Sequence, residues 1–107
     1  MNLNLYPGYP DRIGKRFAFA GWGIGPTSYN TTTKDPIALP GFQNYIDVLH
    51  GAITVSGTYQ LRAIPSGKGP RATWKLVWVT ASTQTEVTAA TNLSGETVIL
   101  GGLGGVY

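Results

Sequence analysis

The alternation of apolar and polar residues predicts a long β-hairpin between residues 52 and 80. From Ala52 to Ile64 the two kinds of side chain alternate with a period of two, which is typical of a strand buried on one face. A PSGKGP loop follows, and RATWKLVWVT then predicts the return strand. We expect this hairpin to be the centre of the fold.

The return strand is apolar on both of its faces. Trp74, Leu76 and Trp78 share one face, and Val77 and Val79 lie on the other. A strand of this kind is covered on both sides. We expect the face of Val77 and Val79 to be covered either by the N-terminal part of the same chain or by a neighbouring subunit.

Residues 1–16 predict an extended N-terminal arm. Two prolines and two glycines interrupt an otherwise apolar and aromatic string, which disfavours regular helix. Such an arm is expected to be covered, either on its own sheet or by contact with a neighbouring subunit. The arm residues expected to make these contacts are Leu3, Leu5, Tyr6, Tyr9 and Arg12.

The segments between the arm and the hairpin predict one further strand, a loop and an ambiguous element. Residues 17–25 predict a strand whose glycine-rich end is crossed closely by another backbone segment. Residues 26–41 predict a long loop or a short edge strand. Residues 42–50 fit a helix or a strand; the strand is favoured, with a turn at His50-Gly51 leading into the hairpin.

After the hairpin, residues 86–90 and 96–100 predict two short strands. The tail GGLGGVY cannot form a helix, and its Val106 and Tyr107 are expected to form a final edge strand or to contact a neighbour. The total is about seven strands with regularly spaced turns. The sequence therefore predicts a single all-β domain over residues 17–107, an antiparallel β-sandwich or a small jelly-roll-like barrel, preceded by the extended arm.

Composition points towards association rather than catalysis. Charged residues make up 12% of the 107 residues, about half the usual fraction, and a surface short of charge favours association. The chain has no cysteine, which excludes disulfides and thiolate metal sites. Its N-terminus lacks the features of a secretory signal, and no apolar run approaches the about 20 residues that span a bilayer.

Positive charge is concentrated near the hairpin loop. No acidic residue occurs between Asp47 and Glu86. Four basic residues fall in this interval: Arg62, Lys68, Arg71 and Lys75. This end of the hairpin could face an acidic protein surface or nucleic acid, or could simply be solvated. Because the net charge is only +3, the chain lacks the strongly basic character of a dedicated nucleic-acid binder, and we do not expect nucleic acid as its partner.

No motif in the chain predicts an active site, a cofactor or a metal. The five acidic residues are scattered, and His50 is the only histidine. No serine lies in a nucleophile elbow, and the PSGKGPR segment lacks the glycine and the hydroxyl residue that a phosphate-binding loop requires. We therefore expect a protein that is not an enzyme.

Exposed aromatic residues provide an alternative function. Trp22 and Tyr29 could form a platform on which a sugar ring stacks, with neighbouring amides and hydroxyls binding its hydroxyl groups. The chain would then be a carbohydrate-binding β-sandwich module.

In size and layout the chain resembles the small all-β virion proteins of tailed bacteriophages, the capsid decoration or cement proteins and the small tail components. The resemblance covers the whole chain and is carried by the arm MNLNLYPGYPDRIGKR, the hairpin TYQLRAIPSGKGPRATWKLVWV and the tail GGLGGVY. It implies a homo-oligomer, such as a trimer, that binds a lattice of a larger protein such as a major capsid protein. It also implies a location in the virion, assembled in the host cytoplasm.

Overall fold

Eight β-strands in two antiparallel sheets make up the described part of the chain, which in this computed structural model comprises residues 1–38, 46–55, 59–66 and 73–104. The larger sheet contains β1 (Asn4–Leu5), β2 (Asp11–Ile13), β3 (Arg16–Ile24), β5 (Ile46–Val55) and β8 (Thr97–Gly104). The smaller sheet contains β4 (Asp35–Pro36), β6 (Tyr59–Ser66) and β7 (Thr73–Thr80). The predicted all-β fold is confirmed, and it is sandwich-like, because the described strands do not close into a barrel.

The hydrophobic core combines residues from both sheets. Phe19 on β3 and Leu100 on β8 come from the larger sheet, and Leu76 and Trp78 on β7 come from the smaller one. Tyr59, Leu61 and Ala63 of β6 pack against this core, while the alternate residues Gln60 and Arg62 are exposed, as the period of two predicts. The remaining buried members of the cluster are Leu3, Tyr29, Ile37, Val87, Leu93 and Val98.

The predicted hairpin is confirmed for β6 and β7, which pair from Tyr59 with Thr80 to Ser66 with Thr73. The prediction that its first strand runs unbroken from residue 52 is wrong. Residues 52–55 belong to β5, which pairs with β8 in the larger sheet, whereas β6 lies in the smaller sheet. Alternation has the same period in both sheets, so it does not reveal where a chain changes sheet.

Residues 46–50 form a strand, as favoured over a helix, and residues 42–45 lie outside the described part of the chain. The predicted turn at His50-Gly51 is wrong, because β5 continues through both residues. Its pairing with β8 changes register between His50 and Thr54. Here β5 advances four residues while β8 advances two, so the shift absorbs two extra residues without ending the strand.

The predicted strand at residues 86–90 is also wrong. Glu86 forms an isolated bridge with Val79, and the chain then turns away from β7. The strand predicted at 96–100 is confirmed as β8, which continues to Gly104 and pairs with β3 on one side and β5 on the other. The glycines of β8 are tolerated because the strand lies between β3 and β5, which hydrogen-bond to its backbone on both sides. Val106 and Tyr107 lie outside the described residues.

Close crossing at the glycine-rich end of β3 is confirmed. A Cβ atom on Gly21 would overlap the carbonyl group of Asn4, and one on Gly25 would overlap the carbonyl group of Leu93. Glycine at these positions lets β1 and the 93–96 turn approach the sheet.

The N-terminal arm pairs with the larger sheet and also bridges to the chain just after β4. The Leu3 amide donates to the Ala38 carbonyl at 3.0 Å, and the Ala38 amide donates to the Met1 carbonyl at 2.8 Å, at the edge of the smaller sheet. The next residues, Asn4 and Leu5, pair with β3 in the larger sheet. Because Leu3 is buried in the core, the arm stabilises the domain rather than extending freely from it.

Candidate functional site

Three of the residues predicted to contact other subunits are buried within the single chain. Leu3 is in the core, and Val77 and Val79 are 5% and 0% exposed, so their face of β7 is covered without a neighbour. The prediction that this face is covered is confirmed, but these three residues cannot form an open contact surface. Leu5 packs against the core and is half-buried.

The other predicted contact residues that the structure describes are exposed. Tyr6, Tyr9 and Arg12 lie on the surface of the arm, and Arg62 lies on the outer face of β6. Lys68, Arg71, Val106 and Tyr107 lie outside the described residues. The structure therefore leaves the arm aromatics available for contact.

Only one of the two residues of the predicted sugar platform is available to a ligand. Tyr29 is 1% exposed and belongs to the core, so it offers no face to a ligand, whereas Trp22 is exposed on β3. Tyr29 lies in a segment where no alternation shows which residues point inwards, and its burial was therefore not visible in the sequence.

A patch of large apolar side chains lies on the outer face of the larger sheet. Along β3, Phe19 and the glycines face the core, so Trp22 and Ile24 face outwards. Trp22 is directly opposite Ile99 on β8. Tyr6 lies on the same face. Its amide donates to the Ala20 carbonyl at 3.0 Å, one position beyond the pairing of Leu5 with Gly21, so Tyr6 stands opposite Ala20. Ala20 shares the face of Trp22, because the two are two residues apart on β3. We call the exposed residues Tyr6, Trp22, Ile24 and Ile99 the outer patch.

The stretches of β3 and β8 that carry the outer patch have no charged residue. From Phe17 to Ile24 on β3, and along all of β8, there is no acidic or basic residue. The small residues Ala18 and Ala20 share the face of Trp22, which leaves that ring and Ile24 prominent. Large contiguous apolar patches on a soluble protein mark interaction surfaces.

A second feature is an open cleft of about 390 Å³ at the end of the hairpin where Tyr59 pairs with Thr80. Five of its eight lining residues are threonines, and the others include one aromatic ring and one carboxylate. We call it the threonine cleft; its lining residues are Tyr59, Thr80, Thr83, Thr85, Glu86, Val87, Thr88 and Thr91.

Glu86 is held in the wall of the cleft by two partners. The Lys34 ammonium donates to both carboxylate oxygens, at 2.9 and 2.7 Å, and the Tyr29 hydroxyl donates to Oε2 at 2.6 Å. These contacts, with Lys34 first, lower the pKa of Glu86. Burial and the neighbouring carboxylate raise the pKa of Tyr29. Glu86 is therefore ionised and Tyr29 protonated at neutral pH.

Asp35 is buried at the start of the smaller sheet. Its carboxylate accepts a hydrogen bond from the N-terminal ammonium of Met1 at 2.7 Å and another from the Trp78 indole N–H at 2.9 Å. Both oxygens are thus occupied by donors from the fold, and the role of Asp35 is structural.

The sequence did not indicate the Lys34–Glu86–Tyr29 group, because its members lie up to 57 residues apart and no local spacing relates them. Within the described residues, no group of three acidic, histidine or cysteine side chains could hold a metal ion. No helix in the same residues is long and apolar enough to cross a membrane.

Comparisons with known proteins do not assign the chain to a class. No protein-family model, curated protein or solved structure matches it. The surfaces described above are therefore the basis for the function.

Proposed function

We propose that this protein is a non-enzymatic structural assembly protein that associates with further copies of itself through the outer patch. The observation that carries the proposal is the exposure of Trp22, Ile24 and Ile99 side by side on one sheet face, where the adjoining stretches of β3 and β8 carry no charged residue. Burying these side chains against a partner would stabilise the complex by about 25 cal/mol for each Å² of apolar surface removed from water. A second copy presents the same surface, and self-complementary faces favour closed symmetric oligomers.

The outer face of the larger sheet is large enough to form an interface between two copies. β3 has nine residues, and at about 3.3 Å per residue the face is about 30 Å long. Its four paired strands, about 4.8 Å apart, give a width of about 15 to 20 Å. The product, about 450 to 600 Å², is within the range that the smaller specific interfaces bury per partner.

We further propose that the oligomer decorates a larger protein lattice, such as that of a major capsid protein in a virion. The support for this step is the layout of the chain, with its low charge and its resemblance to small all-β virion proteins. The exposed Tyr9 and Arg12 of the arm, together with Arg62, are then the residues that contact the lattice. The basic residues would meet acidic groups of that surface.

The test compares two isoleucines of similar exposure on different sheets. Ile99, on the outer patch, is 42% exposed, and Ile64, on β6, is 39% exposed. Threonine keeps the branched Cβ that strands favour but removes apolar surface. Ile99→Thr should weaken self-association about tenfold or more, since each lost carbon is worth about 0.8 kcal/mol and the change occurs in every copy. Ile64→Thr should leave association unchanged.

Sedimentation velocity over a range of protein concentrations measures the effect. The proposal requires a wild-type species larger than 11.4 kDa that Ile99→Thr shifts towards the monomer. Equal sedimentation of the two variants would remove the outer patch as the interface. A wild-type protein that is monomeric throughout would remove self-association altogether.

A further inference from the structure

We propose that the threonine cleft binds a neutral, polyhydroxylated ligand of the carbohydrate class. The site is separate from the outer patch: it lies at the end of the smaller sheet, whereas the patch covers the outer face of the larger one. Its volume of about 390 Å³ lies within the range of about 300 to 1,000 Å³ that is usual for small-molecule sites.

The lining of the cleft matches the chemistry of a sugar. Each threonine hydroxyl offers one donor and two acceptor positions, as a sugar hydroxyl does. The Thr91 hydroxyl donates to the Thr88 carbonyl at 2.6 Å, so its acceptor positions are available to a ligand. Tyr59 adds an aromatic ring, which the C–H bonds of a sugar can contact.

The charge of the cleft favours a neutral ligand. Glu86 is the only ionisable acid among the described lining residues, and Lys34 compensates it through both carboxylate oxygens. An anion would approach the carboxylate, and a cation would compete with an ammonium group that is already in place. A hydroxyl group can donate to Glu86 without disturbing that ion pair.

The walls of the cleft are fixed by the fold. Tyr59 contacts the buried Trp78 edge to face, with ring centroids 6.5 Å apart, which sets the position of its ring. The Thr80 amide donates to the Thr85 carbonyl at 2.9 Å, and the Tyr29 amide donates to the Thr91 carbonyl at 2.9 Å. The backbone that carries Thr80, Thr85 and Thr91 is thus held before a ligand arrives, which reduces the entropic cost of binding.

Left-handed backbone occurs at three non-glycine residues of the described chain, and all three are next to this site. Gln84 has φ 56° and Ala90 has φ 68°, in the two turns that carry the lining threonines. Lys34, which holds Glu86, has φ 58°. Such residues are found where the surrounding structure fixes an unfavourable conformation, often at binding sites.

Saturation-transfer difference NMR with a panel of sugars tests the proposal. The neutral probes are glucose, galactose, mannose and N-acetylglucosamine; glucuronate and glucosamine are the anionic and cationic comparisons. The double variant Thr85→Val/Thr88→Val removes two exposed lining hydroxyls while keeping the shape of the side chains. Thr32→Val, which changes an exposed threonine that does not line the cleft, is the matched control.

We expect saturation transfer to at least one neutral sugar, weakened tenfold or more by the double variant and unchanged by Thr32→Val. Silence across the neutral panel would overturn the proposal, as would binding that survives the double variant or that prefers a charged probe. The double variant should sediment like the wild type, so failure of the sugar site leaves the assembly proposal standing, and the converse also holds.

Discussion

Asp35 shows at the scale of one residue how the sheets are tied together. Its carboxylate is 3% exposed and joins the N-terminal ammonium to the indole of Trp78 in the core. Removing its charge would leave a buried ammonium without a counter-ion. Breaking a buried pair in this way costs about 3 to 5 kcal/mol.

We therefore predict that Asp35→Asn lowers the free energy of unfolding by about 3 kcal/mol or more. Asp11→Asn, which changes an exposed carboxylate on β2, should alter it by less than about 0.5 kcal/mol. Urea denaturation followed by tryptophan fluorescence measures both. Similar midpoints for the two variants would mean that the buried pair does not stabilise the fold.

Glu86 makes the stability depend on pH in the acid range. Its pKa in the folded protein is below the ordinary value of 4.5, so its contribution is complete above that pH and is lost as the pH falls through the folded pKa. The pH dependence that Tyr29 gives has the opposite sign. Its pKa in the folded protein is raised above 10.0, so its contribution to stability is lost as the pH rises beyond that value.

Glu86→Gln should therefore flatten the decline of stability below about pH 4.5 relative to the wild type. Unfolding midpoints in urea between pH 3 and pH 7 measure the two profiles. A decline that is equally steep in Glu86→Gln and in the wild type would show that the ion pair with Lys34 does not link stability to pH.

Whether a single side chain is buried was predictable from the sequence where the alternation of apolar and polar residues is clear. Leu76 and Trp78 lie in a strand whose period shows their common face, and both are buried. Tyr29 follows a proline in a polar segment without a period, and only the folded chain brings its hydroxyl to Glu86. For this reason the contact between Tyr29 and Glu86 in the wall of the threonine cleft could not be predicted from the sequence.

At the scale of elements, glycine determines where β1 can lie. A methyl group on Gly21 would overlap the Asn4 carbonyl and force β1 away from β3. Gly21→Ala should destabilise the protein by about 1 to 3 kcal/mol, as overpacking does. Gly95→Ala is the matched control, since a Cβ atom there meets nothing within 4 Å.

Thermal unfolding followed by circular dichroism compares these two variants. We expect a lower midpoint for Gly21→Ala and little change for Gly95→Ala. If Gly21→Ala melts with the wild type, β1 does not hold the position described for it.

The elements themselves were largely predictable, but their sheet membership was not. The pairing of β6 with β7 joins two strands that are close in sequence, and the sequence predicts it directly. The pairing of β3 with β8 joins Phe17 to Gly104 across most of the chain, without a local signal. The division between β5 and β6 was missed because alternation is the same in both sheets.

At the scale of the whole molecule, the structure relocates the surface expected to make contacts. The sequence suggested the face of Val77 and Val79, which is covered within the chain. Trp22 and Ile99 come together on the opposite sheet only because β3 and β8 pair in the register observed. The outer patch is thus a property of the folded chain.

Hydroxyl-radical footprinting of the wild-type protein at low and high concentration tests most directly whether the outer patch is covered by another copy. We predict that oxidation of Trp22 falls severalfold as the concentration rises, while oxidation of Ile64 stays constant as an internal reference. Oxidation of Trp22 that is the same in dilute and concentrated protein would contradict assembly through this face.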